Sequence, residues 1–161
     1  MGETELTKRI KHELYRYTKA DGLGVYGCFE AVMGESRGYG KEKVDYITMN
    51  SDNVFRCYEI KITREDLHSK AKLSFYGDYN YLVVPEDLAD ETLKFLRNNH
   101  EHKVGVLVYH SGTPGRTVPY ISTMIKPVKE HCRIEQKVSN LHNMVRSMSR
   151  YVTERWKEGK A

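Results

Sequence analysis

Two alternating runs joined by four turn-forming residues constrain this chain more than any other feature. "KVDYITM" (43–49) and "VFRCYEIKIT" (54–63) alternate apolar and polar residues as half-buried β-strands do, and "NSDN" joins them. Successive side chains on a strand point to opposite faces. Val54, Arg56, Tyr58, Ile60 and Ile62 therefore share one face, and Phe55, Cys57, Glu59 and Lys61 the other. On the first strand Asp45, Ile47 and Met49 lie together. If the hairpin closes through Ser51, Asp52 and Asn53, then Asn50 pairs with Val54 and the same register sets Asp45 opposite Glu59. Directly opposed residues have Cβ atoms roughly 4.5–5.5 Å apart. A two-residue loop would misalign them.

Helical and strand patterns alternate through the rest of the chain. Residues 4–19 read as a helix capped by Thr4, with Leu6, Ile10, Leu14 and Tyr17 at helical spacing and Asp21-Gly22 as its stop. A strand is expected around 25–33, then the loop "GESRGYGKEK", which lacks the ending of a Walker A phosphate cradle. A short helical stretch from Arg64, a strand in "YNYLVVPE", a helix over 86–99 and a strand in "VGVLVYH" follow the hairpin. "SGTPGRTVP" reads as a loop and as the candidate boundary between core and tail. From Arg133 to Lys157, the apolar residues Ile134, Val138, Leu141, Val145, Met148 and Val152 recur every three or four positions, a long amphipathic helix. The order predicts an α/β domain around a mixed sheet flanked by helices, residues 1–125. A basic helical extension, 126–161, packs on it or projects from it.

At 161 residues the chain is long enough for one domain with a proper core. No apolar run approaches the ~20 residues that cross a bilayer, and the charged, helix-like opening is not a secretory leader. Three widely spaced cysteines without a CxxC fit reduced thiols in a cytoplasm. Residues 126–161 hold nine Lys/Arg against four Asp/Glu, which points to a polyanion partner or, equally, to a solvated charged helix.

Asp45 and Glu59 side by side would repel, so either one takes a proton or a cation sits between them. Oxygen ligands of this kind suit Mg²⁺. Lys61, on the Glu59 face, would point toward an attacking water or a substrate phosphate, the layout of metal-assisted phosphodiester hydrolysis. Glu30, inside the apolar run "GCFEAVM", needs a partner, and a metal is one candidate. Spacing alone leaves the other reading open: a cross-strand salt bridge, with Asp45 capping or bending its hairpin.

The order of these residues resembles the PD-(D/E)xK nuclease superfamily, in which one strand carries Asp, the next (D/E)xK, and an earlier acid completes the site. "VDYITM" supplies Asp45, with Val44 where the motif has proline, and "YEIKIT" supplies Glu59 and Lys61, with the Ile60 carbonyl available to a metal. The segment "EIKITREDLHSKAKLSFYGDYNYLVVPEDL" is similar to the one following the ExK strand in MmcB-like DNA repair proteins and related uncharacterised phage and bacterial proteins. Glu30 matches their first-strand glutamate, and "RSMSR" (146–150) a motif near their C-terminal end. The likeness spans residues 23–110 and, more loosely, the last helix. It implies a restriction-endonuclease-like core in a bacterial or phage-infected cell. It also implies Mg²⁺- or Mn²⁺-dependent hydrolysis of DNA in repair or in phage or mobile-element processing. Asp45, Glu59, Ile60 and Glu30 would hold the metal, and Lys61 would position or deprotonate the attacking water.

Arg64, His68, Lys70 and Lys72 follow the site and are candidate phosphate contacts or a solvated helix face. Arg146 and Arg150, one helical turn apart, could clamp phosphate or hold the last helix to the body. Tyr76, Tyr79 and Tyr81 could stack on bases or pack a sheet edge. His100 and His102 lack further zinc ligands, and Cys57 lacks an activating histidine. Three functions stay open: a nuclease on duplex, branched or single-stranded DNA; a catalytically silent module that binds or recruits nucleic acid; and an interaction subunit or homodimer using the apolar face of 134–152.

Overall fold

The computed structural model describes residues 3–20, 23–33, 42–69, 73 and 75–160. The glycine-containing loop at 34–41, Asp21-Gly22, Lys70 and Lys72 lie outside the described residues. Six strands, β1 (Val25–Met33), β2 (Glu42–Asn50), β3 (Phe55–Ile60), β4 (Tyr79–Pro85), β5 (Gly105–His110) and β6 (Tyr120–Ile125), form one sheet in sequence order. β3, β4 and β5 run parallel, and the outer pairs are antiparallel. The helices are α1 (Glu5–Thr18), α2 (Arg64–Leu67), α3 (Ala89–Asn98) and α4 (Ile134–Lys157). A 3₁₀ turn, Glu86–Leu88, opens the stretch expected to be wholly α-helical. The mixed α/β architecture is the expected one.

Local chemistry sets the element ends. Thr4 caps α1, its hydroxyl accepting the Thr7 amide at 3.1 Å, and Lys19 closes the helix in the left-handed conformation. The β2–β3 turn closes through three residues, with the Asn50 amide donating to the Val54 carbonyl at 3.2 Å. One strand was not anticipated. β6 continues the sheet past 111–119, so that loop is a β5–β6 connection and not the boundary between core and tail. Val118 and Pro119 obscured the start of β6, and its residues are half-buried or exposed, so the apolar signal is weak.

α1 covers one face, where Ile10 and Leu14 pack on Tyr46, Tyr58, Ile60 and Val83. α3 and α4 cover the other. Leu96 of α3 meets Leu82, Val84 and Val106, and Met144 of α4 meets Cys28, Ile47, Phe55 and Cys57. Glu59 pairs in register with Leu82 and shares the Cys57 face, which puts it where these two clusters meet.

α4 packs on the sheet through its polar face. Its buried residues are Asn140, Asn143 and Met144, while the periodic apolar residues face outward. The polar face docks through hydrogen bonds. Asn140 donates to the Tyr76 carbonyl at 2.7 Å, and Lys137 to the Asn53 carbonyl at 2.8 Å. On β1, an edge strand, the Val32 amide donates to Ser147 and its carbonyl accepts from Arg146. Asp78, almost wholly buried, accepts the amides of Phe55 and Cys132 and pairs with Lys137 at 3.3 Å. A helix that satisfies edge-strand backbone in this way buries polar side chains at little cost.

Candidate active site

Register brings three acids into one row. Tyr46 pairs with Tyr58 and Ile47 with Cys57, so Asp45 faces Glu59. Phe29 pairs with Tyr46 and Ala31 with Val44, so Glu30 faces Asp45 from the other side. The strict alternation of β1 and β2 breaks here: Cys28 and Ala31, and likewise Val44 and Ile47, all join the cluster under α4. An even spacing would be needed for that on a regular strand. The break coincides with Glu30, whose φ of 52° is left-handed and costs an L-residue roughly 1–2 kcal/mol.

Asp45 and Glu59 are the core of the site. Asp45 Oδ2 accepts the Ile60 amide at 2.7 Å, and the two carboxyls are close enough to share a hydrogen bond. Glu59 is only 6% exposed, and among the described residues its Oε1 has no hydrogen-bond partner. Burial, and then the charge of Asp45, push the Glu59 carboxyl up to about 8 against the pull of Lys61. Asp45 also lies above its ordinary value, chiefly by burial, although the Ile60 amide pulls it down. A proton shared by the pair, or a cation, relieves the repulsion.

Lys61 is buried to 8% and continues from β3, its amide donating to the Val83 carbonyl at 3.0 Å. Its ammonium stands 3.6 Å from Asp66. Thr63 caps α2 by accepting the Asp66 amide, and the Asp66 carboxylate accepts the Ile62 amide. Asp66 thus orients the lysine, and the T-x-x-D spacing after the strand was the signal for it.

Glu30 points elsewhere. Its oxygens take Lys11 at 2.6 Å and Lys43 at 2.9 Å, and those ammonium groups hold it below the usual carboxylate range although burial opposes them. Lys11, on α1, also pairs with Glu3 at 2.6 Å. Nothing in the α1 sequence distinguished Lys11 from a solvent-facing lysine; only the packing of α1 over β1 brings it to Glu30. Among the described residues, no group of three His, Cys, Asp or Glu is drawn together tightly enough to hold a metal. Asp45 and Glu59 meet, and Glu30 is engaged by lysines.

The candidate phosphate contacts are partly committed. Arg64 and His68 both reach Glu91 at 2.8 Å, and Arg146 holds α4 to β1. Arg150 is exposed. The tyrosines pack: Tyr76 donates to Glu42, Tyr81 stacks on Tyr58 at 4.9 Å, and Tyr79 lies under Arg56. Cys57 is wholly buried, which raises its thiol far above the ordinary value.

The fold is therefore a mixed six-stranded sheet with helices on both faces and a carboxyl pair beside a lysine at the end of its third strand. No protein-family profile and no curated protein sequence matches the chain. Among solved structures it is similar to the SPO1766 protein of unknown function from Silicibacter pomeroyi, with a TM-score of 0.69 and 13% sequence identity. The match covers 99% of this chain and 97% of that one, and at this identity it shows a shared fold. No helix among the described residues is long and apolar enough to cross a membrane.

Proposed function

We propose that the chain is a metal-dependent nuclease with a PD-(D/E)xK-like core, acting on phosphodiester bonds in DNA. The observation that carries this reading is the Asp45–Glu59 pair, half-buried at Asp45 and buried at Glu59, with Glu59 Oε1 unpartnered among the described residues and the Lys61 ammonium on the same face. An all-oxygen donor set of two carboxylates fits a hard divalent cation such as Mg²⁺ or Mn²⁺. Asp45 and Glu59 would hold it, with the Ile60 carbonyl as a further donor. When bound, such a cation supplies Lewis-acid polarisation of the phosphodiester and lowers the pKa of water. Lys61, oriented by Asp66, positions the attacking water and stabilises negative charge that develops on the phosphate. Glu30, at the end of the acid row, holds Lys11 and Lys43 in ion pairs.

Cleavage assays test this. The chain and its Lys61→Ala and Lys61→Met variants are incubated with supercoiled plasmid and with labelled single-stranded, duplex and branched DNA, in Mg²⁺, Mn²⁺ or EDTA. Metal-dependent cutting should fall by about 10²–10³-fold in both variants, with circular dichroism unchanged. Cutting that survives in them sinks the assignment.

The engagement of Glu30 by Lys11 and Lys43 favours a second reading, a nucleic-acid-binding module that keeps this fold without catalysis. DNA binding indifferent to metal and to Glu59→Ala, and steeply weakened by salt, would identify it.

A further inference from the structure

Among the described residues, the apolar stripe of α4 has no partner. Ile134 is 77% exposed, Val138 61% and Val145 57%, with Leu141, Met148 and Val152 between 41% and 57%. These residues step by 4, 3, 4, 3 and 4 along the helix. That is a strict seven-residue repeat, with Val138, Val145 and Val152 at one core position and Ile134, Leu141 and Met148 at the other. An apolar seam repeating every seven residues is the pattern by which two helices pack as a coiled coil.

We propose that α4 is the dimerisation element of this protein and that its partner is α4 of a second copy, packed antiparallel. Two observations choose that occupant and a third its direction. First, the stripe is narrow. Glu135, Lys137, His142 and Ser149 flank it as far as residue 149, and the exposed rings of Tyr151 and Trp156 stand beside it only in the last turns, whereas a helix lying in a bilayer surface needs a wide apolar face along its length. Second, the area is sufficient. Six half-exposed aliphatic side chains are joined at the end by Trp156, 75% exposed and an aromatic of about 150–250 Å². Together they approach the roughly 800 Å² that each partner buries in a standard interface. Third, charge sets the direction. Arg155 takes the next position of the repeat, so a parallel pair would oppose two guanidinium groups. The antiparallel pair sets Ile134 against Val152, Val138 against Met148 and Leu141 against Val145, and separates the two Arg155 residues by roughly 36 Å. Such an interface is isologous and closes on itself. It leaves the docked face of α4, Asn140, Met144 and Arg146, undisturbed.

Sedimentation equilibrium of the full chain at about 50 µM reads the mass, and the single tryptophan reports burial by its emission. A mass twice the 18.8 kDa of the chain is expected, with blue-shifted emission that reverts on dilution. Val145→Glu, a change at an exposed site, should give a folded monomer with red-shifted emission, and Ser139→Glu on the flank should stay dimeric. A nitroxide at Glu154→Cys in a Cys132→Ser background should report copies roughly 33 Å apart along the helix axis. A monomeric parent chain, or a dimer that survives Val145→Glu, overturns the proposal. Monomers captured by anionic phospholipid vesicles would assign the stripe to a membrane surface instead. Label separations near one helix diameter would overturn the antiparallel arrangement.

Discussion

Asp45 and Glu59 face each other across β2 and β3 with one backbone amide, that of Ile60, donating to Asp45 and none of the described groups to Glu59 Oε1. Two carboxyls in that position are held together by the sheet, against their own repulsion. The site is thus a place where stability is spent on charge, and neutralising one member separates folding from function.

Asp45→Asn keeps an acceptor for the Ile60 amide and removes the like charge. In EDTA at about pH 8 it should stabilise the protein by about 1–2 kcal/mol, or roughly 2–8 °C in Tm for a chain of this size. Cleavage should be lost with it. Thermal unfolding and the plasmid assay on one preparation check both halves, and a variant less stable than the parent would remove the repulsion argument.

The pH dependence follows from Glu59. Its folded carboxyl is raised to about 8, first by burial and then by Asp45, with Lys61 opposing and Asp66 adding to the rise. The folded protein therefore keeps a proton that the unfolded chain releases near 4.5. The stability contributed is full below about 4.5 and declines as pH rises toward about 8. Urea midpoints measured in EDTA across that window should fall with pH, and Glu59→Gln should flatten the decline. Mg²⁺ should stabilise more at the alkaline end, because the cation competes with the proton. Parallel curves for the parent and Glu59→Gln would count against the assignment.

Lys11 and Lys43 compete with any cation for Glu30. Lys11→Met removes one of them and leaves Glu3 to solvent. Mn²⁺ affinity by calorimetry should rise roughly fivefold, equivalent to about 1 kcal/mol for a half-exposed pair. No change would mean that the cation rests on Asp45, Glu59 and the Ile60 carbonyl without help from a freed Glu30.

Asp78 ties α4 to the sheet from beneath. Although burial opposes it, the amides of Phe55 and Cys132 and the Lys137 ammonium keep its carboxylate below the usual range. Asp78→Ala leaves those donors unsatisfied and should cost about 2–4 kcal/mol. Urea unfolding followed by circular dichroism measures it. Lys137→Met should cost less, since both amides keep their acceptor.

Much of this was legible in the chain. Alternation marked β2 and β3, the other strands from β1 to β5 were read from their apolar runs, Thr4 marked the start of α1, and a three-residue turn after Asn50 was enough to set Asp45 against Glu59. These are local matters, because turn length and two-residue periodicity are properties of contiguous residues. Glu30 was legible as a misfit, a carboxylate in an apolar run, but the left-handed backbone that turns it toward Lys11 was not. Lys11 and Glu30 are 19 residues apart, and only the packing of α1 on β1 joins them.

α4 separates the two kinds of information most clearly. Its seven-residue apolar repeat and its basic character are in the sequence, and they correctly specify an amphipathic helix. Which face meets the sheet was decided by the tertiary structure. Periodicity records which side chains avoid water, not what they meet. Here the edge of β1, the Tyr76 carbonyl and Asp78 offered hydrogen-bonding groups that Asn140, Lys137, Arg146 and Ser147 satisfy, so the polar face turned inward and the apolar face was left for another surface.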